Sequence, residues 1–225
     1  MSWRSSQAES RRRHLTRFDA AEAERYEKLV GQLAPEDEDA YVADLARTLQ
    51  LPVGAAVLDA GAGTGTLTRI LARSPGLSLT ALEPAPAMLA RLRARPELQG
   101  VVAVEGFCDS ATDRGLFAAA TFDAILSRQL VNGLYDPLAA FRNWHHWLKP
   151  GGAVVVIEGL YGRSAWSGMW AEEVDQLPMS ACQSTAAVPY LLEQAGFRVE
   201  AARMMDAVNA RAATVTARYL VVARR

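Results

Sequence analysis

Cysteine is scarce in this sequence, and long apolar runs are absent. The two cysteines, Cys108 and Cys182, are too few for a disulfide scaffold and lack the CxxC spacing of a zinc site, so we predict no metal. No apolar run approaches the roughly 18–20 residues that cross a bilayer, and the polar, basic segment 1–13 lacks the apolar stretch of a signal peptide. These absences predict a cytoplasmic protein with no membrane partner.

An excess of either charge is also missing. The 24 basic and 25 acidic residues leave a formal charge of -1, which disfavours nucleic acids and anionic membranes as partners and favours a small molecule. Lysine is nearly absent, because only Lys28 and Lys149 occur among the many arginines. Together with the abundant alanine, this bias indicates a bacterial, GC-rich genome.

What is present is enough apolar material for one core. The chain has 225 residues, of which 50% are hydrophobic, about one and a half times a typical domain. Residues 1–50 have polar helical patterns: apolar residues recur at near-helical spacing from Phe18 to Val30, and Pro35 with the acidic residues after it begins another helix. We therefore predict an N-terminal helical cap over 1–50 and one larger domain over 51–225, in a monomer or a homodimer.

Short apolar runs alternate with helical patterns beyond residue 51, as in a parallel βαβ sheet. Strands are predicted at Ala56–Asp59, Leu77–Leu82, Val101–Val104, Phe122–Ser127, Ala153–Glu158, Arg198–Met205 and Thr214–Ala223. Helices are predicted at Leu67–Arg73, Pro86–Arg95, Pro137–Leu148 and Val188–Ala195. The first five strands are almost continuously apolar, which predicts a sheet covered on both faces.

A glycine-rich turn joins the first strand to the first helix of this alternation, within residues 56–65. Glycines let the backbone turn sharply and approach a ligand closely, and the helix start offers free N–H groups. Gly61 and Gly63 fit the dinucleotide fingerprint, but Thr66 stands where its third glycine belongs, which disfavours a nicotinamide oxidoreductase. Glu83 ends the next strand, where its carboxylate can accept both hydroxyls of a ribose. The sequence therefore predicts a nucleotide-type pocket.

Four segments in order resemble the motifs of class I S-adenosylmethionine-dependent methyltransferases, in the small-molecule, type 11-like branch. They are Val57–Gly65, Leu82–Pro84 with Met88–Leu89, Phe122–Ile125 and Leu148–Gly152. The resemblance covers about residues 55–160. It implies a Rossmann-like, doubly wound α/β fold with seven mostly parallel strands, a C-terminal antiparallel hairpin and an N-terminal helical lid. It also implies S-adenosyl-L-methionine as the cofactor.

The resemblance also implies which residues hold the cofactor. The implied site comprises Tyr26, Asp59, Gly61, Ala62, Gly63, Glu83, Pro84, Met88, Cys108, Asp109, Ser110 and Arg128. Within it the glycine turn holds the methionine part, Glu83 the ribose, and Pro84 flanks the adenine. The family usually has Gly-Asp-Ala after the third strand, whereas this chain departs from it around Asp109, which is either the acceptor for the adenine amino group or a turn-forming aspartate. Arg128 either lies near the cofactor's carboxylate or is an ordinary surface arginine.

The residues that would hold the methyl acceptor are less clearly marked. Aromatic residues after the fifth strand and on the cap either line a substrate pocket or pack in the core. They are Phe18, Tyr161, Trp166 and Trp170. The arginine run 11–13 is predicted to lie on a solvated helix face, because acidic residues follow it.

The resulting hypothesis is a methyltransferase that modifies an O, N or C atom of a small-molecule metabolite. Transfer would occur by in-line displacement, mainly through proximity and desolvation. The alternative is a non-catalytic S-adenosylmethionine-binding protein of the same fold. No catalytic residue is identified; if a base is needed, His14 is the candidate, ahead of His145 and His146, which are predicted to lie in the helix on the back of the sheet.

Overall fold

A seven-stranded sheet forms the centre of the fold in the computed structural model, which describes residues 5–166, 171–211 and 216–225. The strands are β1 (Ala56–Ala60), β2 (Ser78–Glu83), β3 (Val102–Glu105), β4 (Phe122–Arg128), β5 (Leu148–Gly159), β6 (Arg198–Met204) and β7 (Arg218–Arg224). Their order is β3-β2-β1-β4-β5-β7-β6. Strands β1 to β5 pair in parallel, and β7 runs antiparallel to both β5 and β6. The predicted Rossmann-like sheet with a C-terminal hairpin is confirmed.

Two strand boundaries differ from the sequence prediction by more than one residue. Strand β5 begins at Leu148 rather than Ala153, because Leu148 pairs with Phe122 across a register shift that no apolar run signals. Strand β7 begins at Arg218, whereas the predicted start, Thr214, lies outside the described residues. Pairing with neighbouring strands, rather than local hydrophobicity, sets both ends.

Helices cover both faces of the sheet and its carboxyl edge. They are α1 (Gln7–Arg17), α2 (Ala20–Tyr26), α3 (Pro35–Ala46), α4 (Thr66–Ala72), α5 (Pro86–Arg93), α6 (Pro137–Trp147), α7 (Ala187–Gln194) and α8 (Asp206–Asn209). Ser6 and Asp19 cap α1 and α2 by accepting backbone N–H hydrogen bonds, and α2 continues into one π turn, Glu27–Gly31. Within the described ranges, no helix is both long and apolar enough to span a bilayer.

The core has two layers, because alternate residues of each strand face opposite sides of the sheet. Leu58 and Ile125 point toward the layer that contains Phe141 and Trp144 of α6. Val57, Leu126 and Val155 face the other layer, which holds side chains of α3 and α4. In that second layer Tyr41 of α3 is 4% exposed. Helix α3, although N-terminal to the sheet, is thus part of the main core, whereas α1 and α2 lie near its carboxyl edge.

Candidate active site

The glycine turn has the backbone geometry that its sequence predicts. Gly61, Gly63 and Gly65 have φ angles of 71°, 56° and 91°, the left-handed region that residues with a Cβ rarely adopt. The N–H groups of Gly61 and Ala62 both donate to the carbonyl oxygen of Leu82, at 2.9 and 3.0 Å. The turn is therefore fastened to the end of β2, beside Glu83.

Glu83 is buried directly against this turn. Its Oε2 accepts from the N–H of Gly63 at 3.0 Å, and its Oε1 accepts from the N–H of Ala85 at 2.9 Å. Burial raises the pKa of Glu83 to about 7, although the two backbone hydrogen bonds act to lower it. Met88 lies beneath, with its Cε 3.6 Å from the position a Cβ on Gly63 would take.

Asp59 lies one strand away and is also buried. Its Oδ2 accepts from the hydroxyl of Thr68 at 2.5 Å, while its Oδ1 has no hydrogen-bond partner among the described residues. Burial raises the pKa of Asp59 to about 7. Two carboxyl groups that titrate near neutrality thus flank the turn, an arrangement typical of binding and active sites.

A cavity of about 60 Å³ lies on the other side of the turn, with Gly61, Pro84 and Asp109 in its lining. Both carboxylate oxygens of Asp109 are engaged: Oδ1 accepts from Arg11 Nη2 at 2.7 Å, and Oδ2 accepts from the N–H of Tyr135 at 2.9 Å. Asp109 therefore lines the cavity, and the cap residue Arg11 occupies its Oδ1.

Asn143 of α6 hydrogen-bonds to the loop on either side of Asp109. Its Nδ2 donates to the carbonyl oxygens of Cys108 and Ser110, at 2.9 and 2.7 Å. The side chain of Ser110 also caps a short helical turn, and burial raises the pKa of the Cys108 thiol. These contacts hold residues 108–110, which differ from the family's usual Gly-Asp-Ala motif, in place after β3.

The cap closes over the cavity through charged contacts that the sequence did not indicate. Arg11 pairs with Asp109 and Asp113, and its guanidinium lies 4.5 Å from the ring centroid of Phe107. Arg17 pairs with Glu173 at 2.5 Å. The prediction of a solvated face for the run 11–13 is therefore wrong for Arg11, because its partners come from a loop about a hundred residues away.

Phe18 and Tyr26 attach the cap to the end of β2. Their rings meet edge to face, with centroids 5.9 Å apart, and Phe18 packs with Met88 and Ala85 in one buried cluster. Burial raises the pKa of Tyr26, and both Glu83 and Arg128 act electrostatically on its hydroxyl. Tyr26 thus lies between the two ends of the predicted cofactor site.

The three histidines occupy different environments. His14 lines the cavity between Phe18 and Phe107, with ring centroids 4.9 and 5.8 Å away, and burial lowers its pKa to about 4. His145 and His146 instead lie in the last turn of α6, which leads into the start of β5 at the opposite edge. Only His14 lies near the glycine turn.

Arg128 ends β4 at the carboxyl edge, in a second cleft. Its Nε donates to the hydroxyl of Tyr41 at 3.2 Å. Burial acts to lower the pKa of Arg128, but the hydroxyls of Tyr41 and Tyr26 outweigh burial, so its pKa is raised and the guanidinium stays charged. The next residue, Gln129, has a φ of 54°, a strained conformation that is common at functional sites.

Tyr161 and Trp166 follow β5 at the same edge, and the fourth predicted pocket residue, Trp170, lies outside the described residues. The Tyr161 hydroxyl lies 2.5 Å from Arg218 Nη1, and the indole of Trp166 donates to the carbonyl of Ser180 at 2.9 Å. Sequence reasoning missed Tyr41 and Arg218, since no local pattern links them to Arg128. Among the described side chains, no group of three or more His, Cys, Asp and Glu could hold a metal.

Known proteins resemble the part of the chain that contains this site. Residues 58–156 match the family model described as "Methyltransferase domain". A ubiquinone biosynthesis O-methyltransferase of Xanthomonas axonopodis pv. citri (strain 306) is 37% identical over 103 residues, which cover 45% of this chain and 41% of that protein. A demethylmenaquinone methyltransferase of Chlorobaculum parvum is 28% identical over 163 residues, which cover 63% of this chain and 65% of that protein. The chain thus spans less than two thirds of either relative.

Solved structures show the same architecture. A SAM-dependent methyltransferase from Aquifex aeolicus superposes with a TM-score of 0.65 at 18% identity, over 92% of this chain and 98% of its own. Residues 58–156 are therefore similar to a methyltransferase domain, and the sheet that contains them has the fold of solved S-adenosylmethionine-dependent methyltransferases.

Proposed function

We propose that the chain binds S-adenosyl-L-methionine and transfers its methyl group, by in-line displacement, to an O, N or C atom of a small molecule. The observation that carries the proposal is the buried Glu83 carboxylate, which lies against the left-handed glycine turn at the carboxyl edge of β2. The two relatives support a small-molecule acceptor, because one is named for O-methylation in ubiquinone biosynthesis and the other for demethylmenaquinone.

The residues present fit this cofactor. Glu83 has carboxylate oxygens at the strand end for ribose hydroxyls, and Gly61 and Gly63 add no side chain of their own between the turn and a ligand. Asp109 lies across the cavity from the turn, positioned to accept from an adenine amino group once Arg11 moves away. Asp59 adds a buried oxygen with no partner in the described part of the chain.

In the reaction, the chain itself positions the two reactants and excludes water. When bound, the cofactor would supply a methyl group on a sulfonium that is already an excellent leaving group. Holding two reactants aligned in a dry site lowers the barrier by roughly 7–11 kcal/mol. This is a larger effect than that of a positioned base, which raises the rate by about 10²–10⁴-fold. Helices α1 and α2, with Phe18 and Tyr26 on their inner side, would keep water out.

Methyl transfer from labelled cofactor tests this function. The purified chain is incubated with methyl-labelled S-adenosyl-L-methionine and the small-molecule fraction of a bacterial extract, with Glu83→Ala as the matched control. We expect label in a small product with wild type and much less with the variant. Binding of S-adenosylhomocysteine without any transfer would instead indicate the non-catalytic protein, and binding of NADH in its place would indicate an oxidoreductase.

A further inference from the structure

A second cleft, of about 290 Å³, opens at the carboxyl edges of β4 and β5. We call it the arginine cleft; its polar and aromatic lining consists of Asp37, Tyr41, Arg128, Gln129, Tyr161, Arg211, Thr216 and Arg218. It shares no lining residue with the cavity beside the glycine turn. Its volume is near the lower limit of roughly 300 Å³ for small-molecule sites, which suits a small ligand.

The sheet brings two of these arginines to one place. Arg128 is the last residue of β4, and Arg218 is the first residue of β7. Because β7 is antiparallel, its first residue lies at the same edge as the last residue of β4, and Arg218 pairs with Gly159 of β5. A Cβ on Gly159 would collide with the Arg218 guanidinium and the Tyr161 ring, so glycine there leaves room for both side chains.

Arg128 and Arg218 form no salt bridge with a described residue, although the buried carboxyl groups of Asp59 and Glu158 act on them electrostatically from farther away. Arg211 is neutralised by Asp37, with Nε 2.7 Å from Oδ1. For Arg128 and Arg218 the described contacts are with tyrosines only: the hydroxyl of Tyr41, and the hydroxyl and ring of Tyr161. Residues outside the described ranges cannot supply an anion, because they include no Asp or Glu.

Two half-buried positive charges without a salt bridge in one cleft are costly, and an anion that binds between them lowers this cost. Guanidinium groups match the planar, bidentate geometry of carboxylate and phosphate oxygens. The rings of Tyr41 and Tyr161 form aromatic walls beside them, and the Oε1 of Gln129 is buried without a hydrogen-bond partner in the described structure. A flat ring that carries an anionic group suits the arginines and the aromatic walls, and Gln129 Oε1 can accept from a hydroxyl or N–H donor on the same ring.

We propose that the arginine cleft binds the anionic group of the methyl acceptor, which is therefore a small aromatic carboxylate or phosphate. This assignment rests on the proposed methyltransferase function. The cofactor's own carboxylate has the same chemistry and is the other source of an anion. The position of Arg218 distinguishes the two sources. It lies on β7, two strands beyond β4 and away from the glycine turn on β1, which favours the acceptor over the cofactor.

Ligand-observed NMR titrations of the whole chain test the cleft, with benzoate as the anionic probe and benzamide as its neutral match. Wild type should bind benzoate at least about tenfold more tightly than benzamide, the usual effect of a charge-assisted hydrogen-bonded pair. Arg218→Gln should remove this preference, and Arg218→Lys should keep part of it. Arg224→Gln, a variant on the same strand at the opposite edge, should behave as wild type.

Calorimetry with S-adenosylhomocysteine separates the two sources of the anion. We expect benzoate to bind alongside S-adenosylhomocysteine, and Arg218→Gln to keep its affinity for that ligand within about twofold. If S-adenosylhomocysteine displaces benzoate and binds at least about tenfold more weakly to Arg218→Gln, the cleft holds the cofactor's carboxylate and the proposal is wrong. Equal or absent binding of the two probes, or an intact preference in Arg218→Gln, also overturns it. If wild type binds no S-adenosylhomocysteine but keeps the Arg218-dependent preference for benzoate, the proposed function fails while the anion site stands.

Discussion

The backbone conformation of Gly63 makes this position in the site sensitive to substitution. Its φ of 56° disfavours any β-branched residue, whereas a Cβ added there would make an ordinary contact, 3.6 Å from Met88 Cε. We expect Gly63→Val to abolish binding of S-adenosylhomocysteine, measured by calorimetry. Gly54→Val is the matched control, because Gly54 has a φ of 84° and nothing within 4 Å, yet lies outside the site. Equal loss in both variants would assign the effect to folding rather than to the ligand.

Glu83 supplies the carboxylate on which the ribose depends in the proposed site. Glu83→Ala should weaken S-adenosylhomocysteine binding by about 1–3 kcal/mol, since a charge-assisted hydrogen-bond partner is lost. Its register partner on β3, Glu105, is exposed and provides the control Glu105→Ala, which should bind normally. Unchanged calorimetric affinity in a folded Glu83→Ala protein would refute the assignment.

The raised pKa of Glu83 predicts a pH dependence of binding. Burial raises this pKa to about 7, and the ionised carboxylate is the better acceptor for ribose hydroxyls. Binding is thus weakened below the pKa, where Glu83 must first lose its proton, and reaches its full strength above it. Between about pH 6 and about pH 8, the affinity for S-adenosylhomocysteine should rise about tenfold.

The same titration in Glu83→Gln isolates this carboxyl group. Asp59 also has a pKa of about 7, so some pH dependence can persist in the variant. The rise should nevertheless be smaller than in wild type. An affinity that falls with increasing pH, or an identical rise in both proteins, would contradict the role of Glu83.

At the scale of elements, α1 and α2 are the parts that must move. The cavity of about 60 Å³ beside the glycine turn is far below the roughly 300 Å³ of a ligand site, and α1 closes it through Arg11. The contacts of α1 are mainly polar, because none of its own residues is buried. We therefore propose that the lid consists of α1 and α2, which move separately from the sheet, whereas α3, the last part of the predicted lid over 2–45, stays packed on the sheet.

Hydrogen exchange measures this motion. Amides of α1 and α2 should exchange readily without ligand and become protected when S-adenosylhomocysteine binds. Helix α6, whose Phe141 and Trp144 are fully buried, serves as an internal control and should not change. Arg11→Gln should speed exchange in α1 by removing its pairs with Asp109 and Asp113. If α1 and α2 exchange equally with and without ligand, the lid proposal is wrong.

At the scale of the whole molecule, activity should depend on assembly of the site rather than on one acid or base. His14 has a pKa of about 4, so it is neutral and weakly basic at neutral pH. Once an acceptor is identified, His14→Ala should lower turnover by less than about a hundredfold, and His146→Ala, at the opposite edge, should leave it near wild type. Activity should also survive EDTA. Loss above a hundredfold in His146→Ala with intact cofactor binding, or abolition by EDTA, would indicate a catalytic histidine or a metal.

The sequence alone was sufficient to predict the sheet and the glycine turn, because both depend on local patterns of residues. Each parallel strand is buried on both faces, so its apolar run marks it, and a left-handed turn needs glycine, so the turn at Gly61 and Gly63 is visible without coordinates. The position of Glu83 at a strand end follows from the same alternation. These features depend on residues close in the chain.

Only the tertiary structure decided which distant side chains meet. Arg11 reaches Asp109 and Asp113 across the chain, against the predicted solvated face, because its partners lie on a loop that the fold brings under α1. Arg128 and Arg218 share a cleft because an antiparallel strand returns to the same edge, a pairing set by sheet order and register. Local periodicity specifies elements and the backbone of their turns, whereas charge pairing and the shape of a cleft depend on how those elements pack.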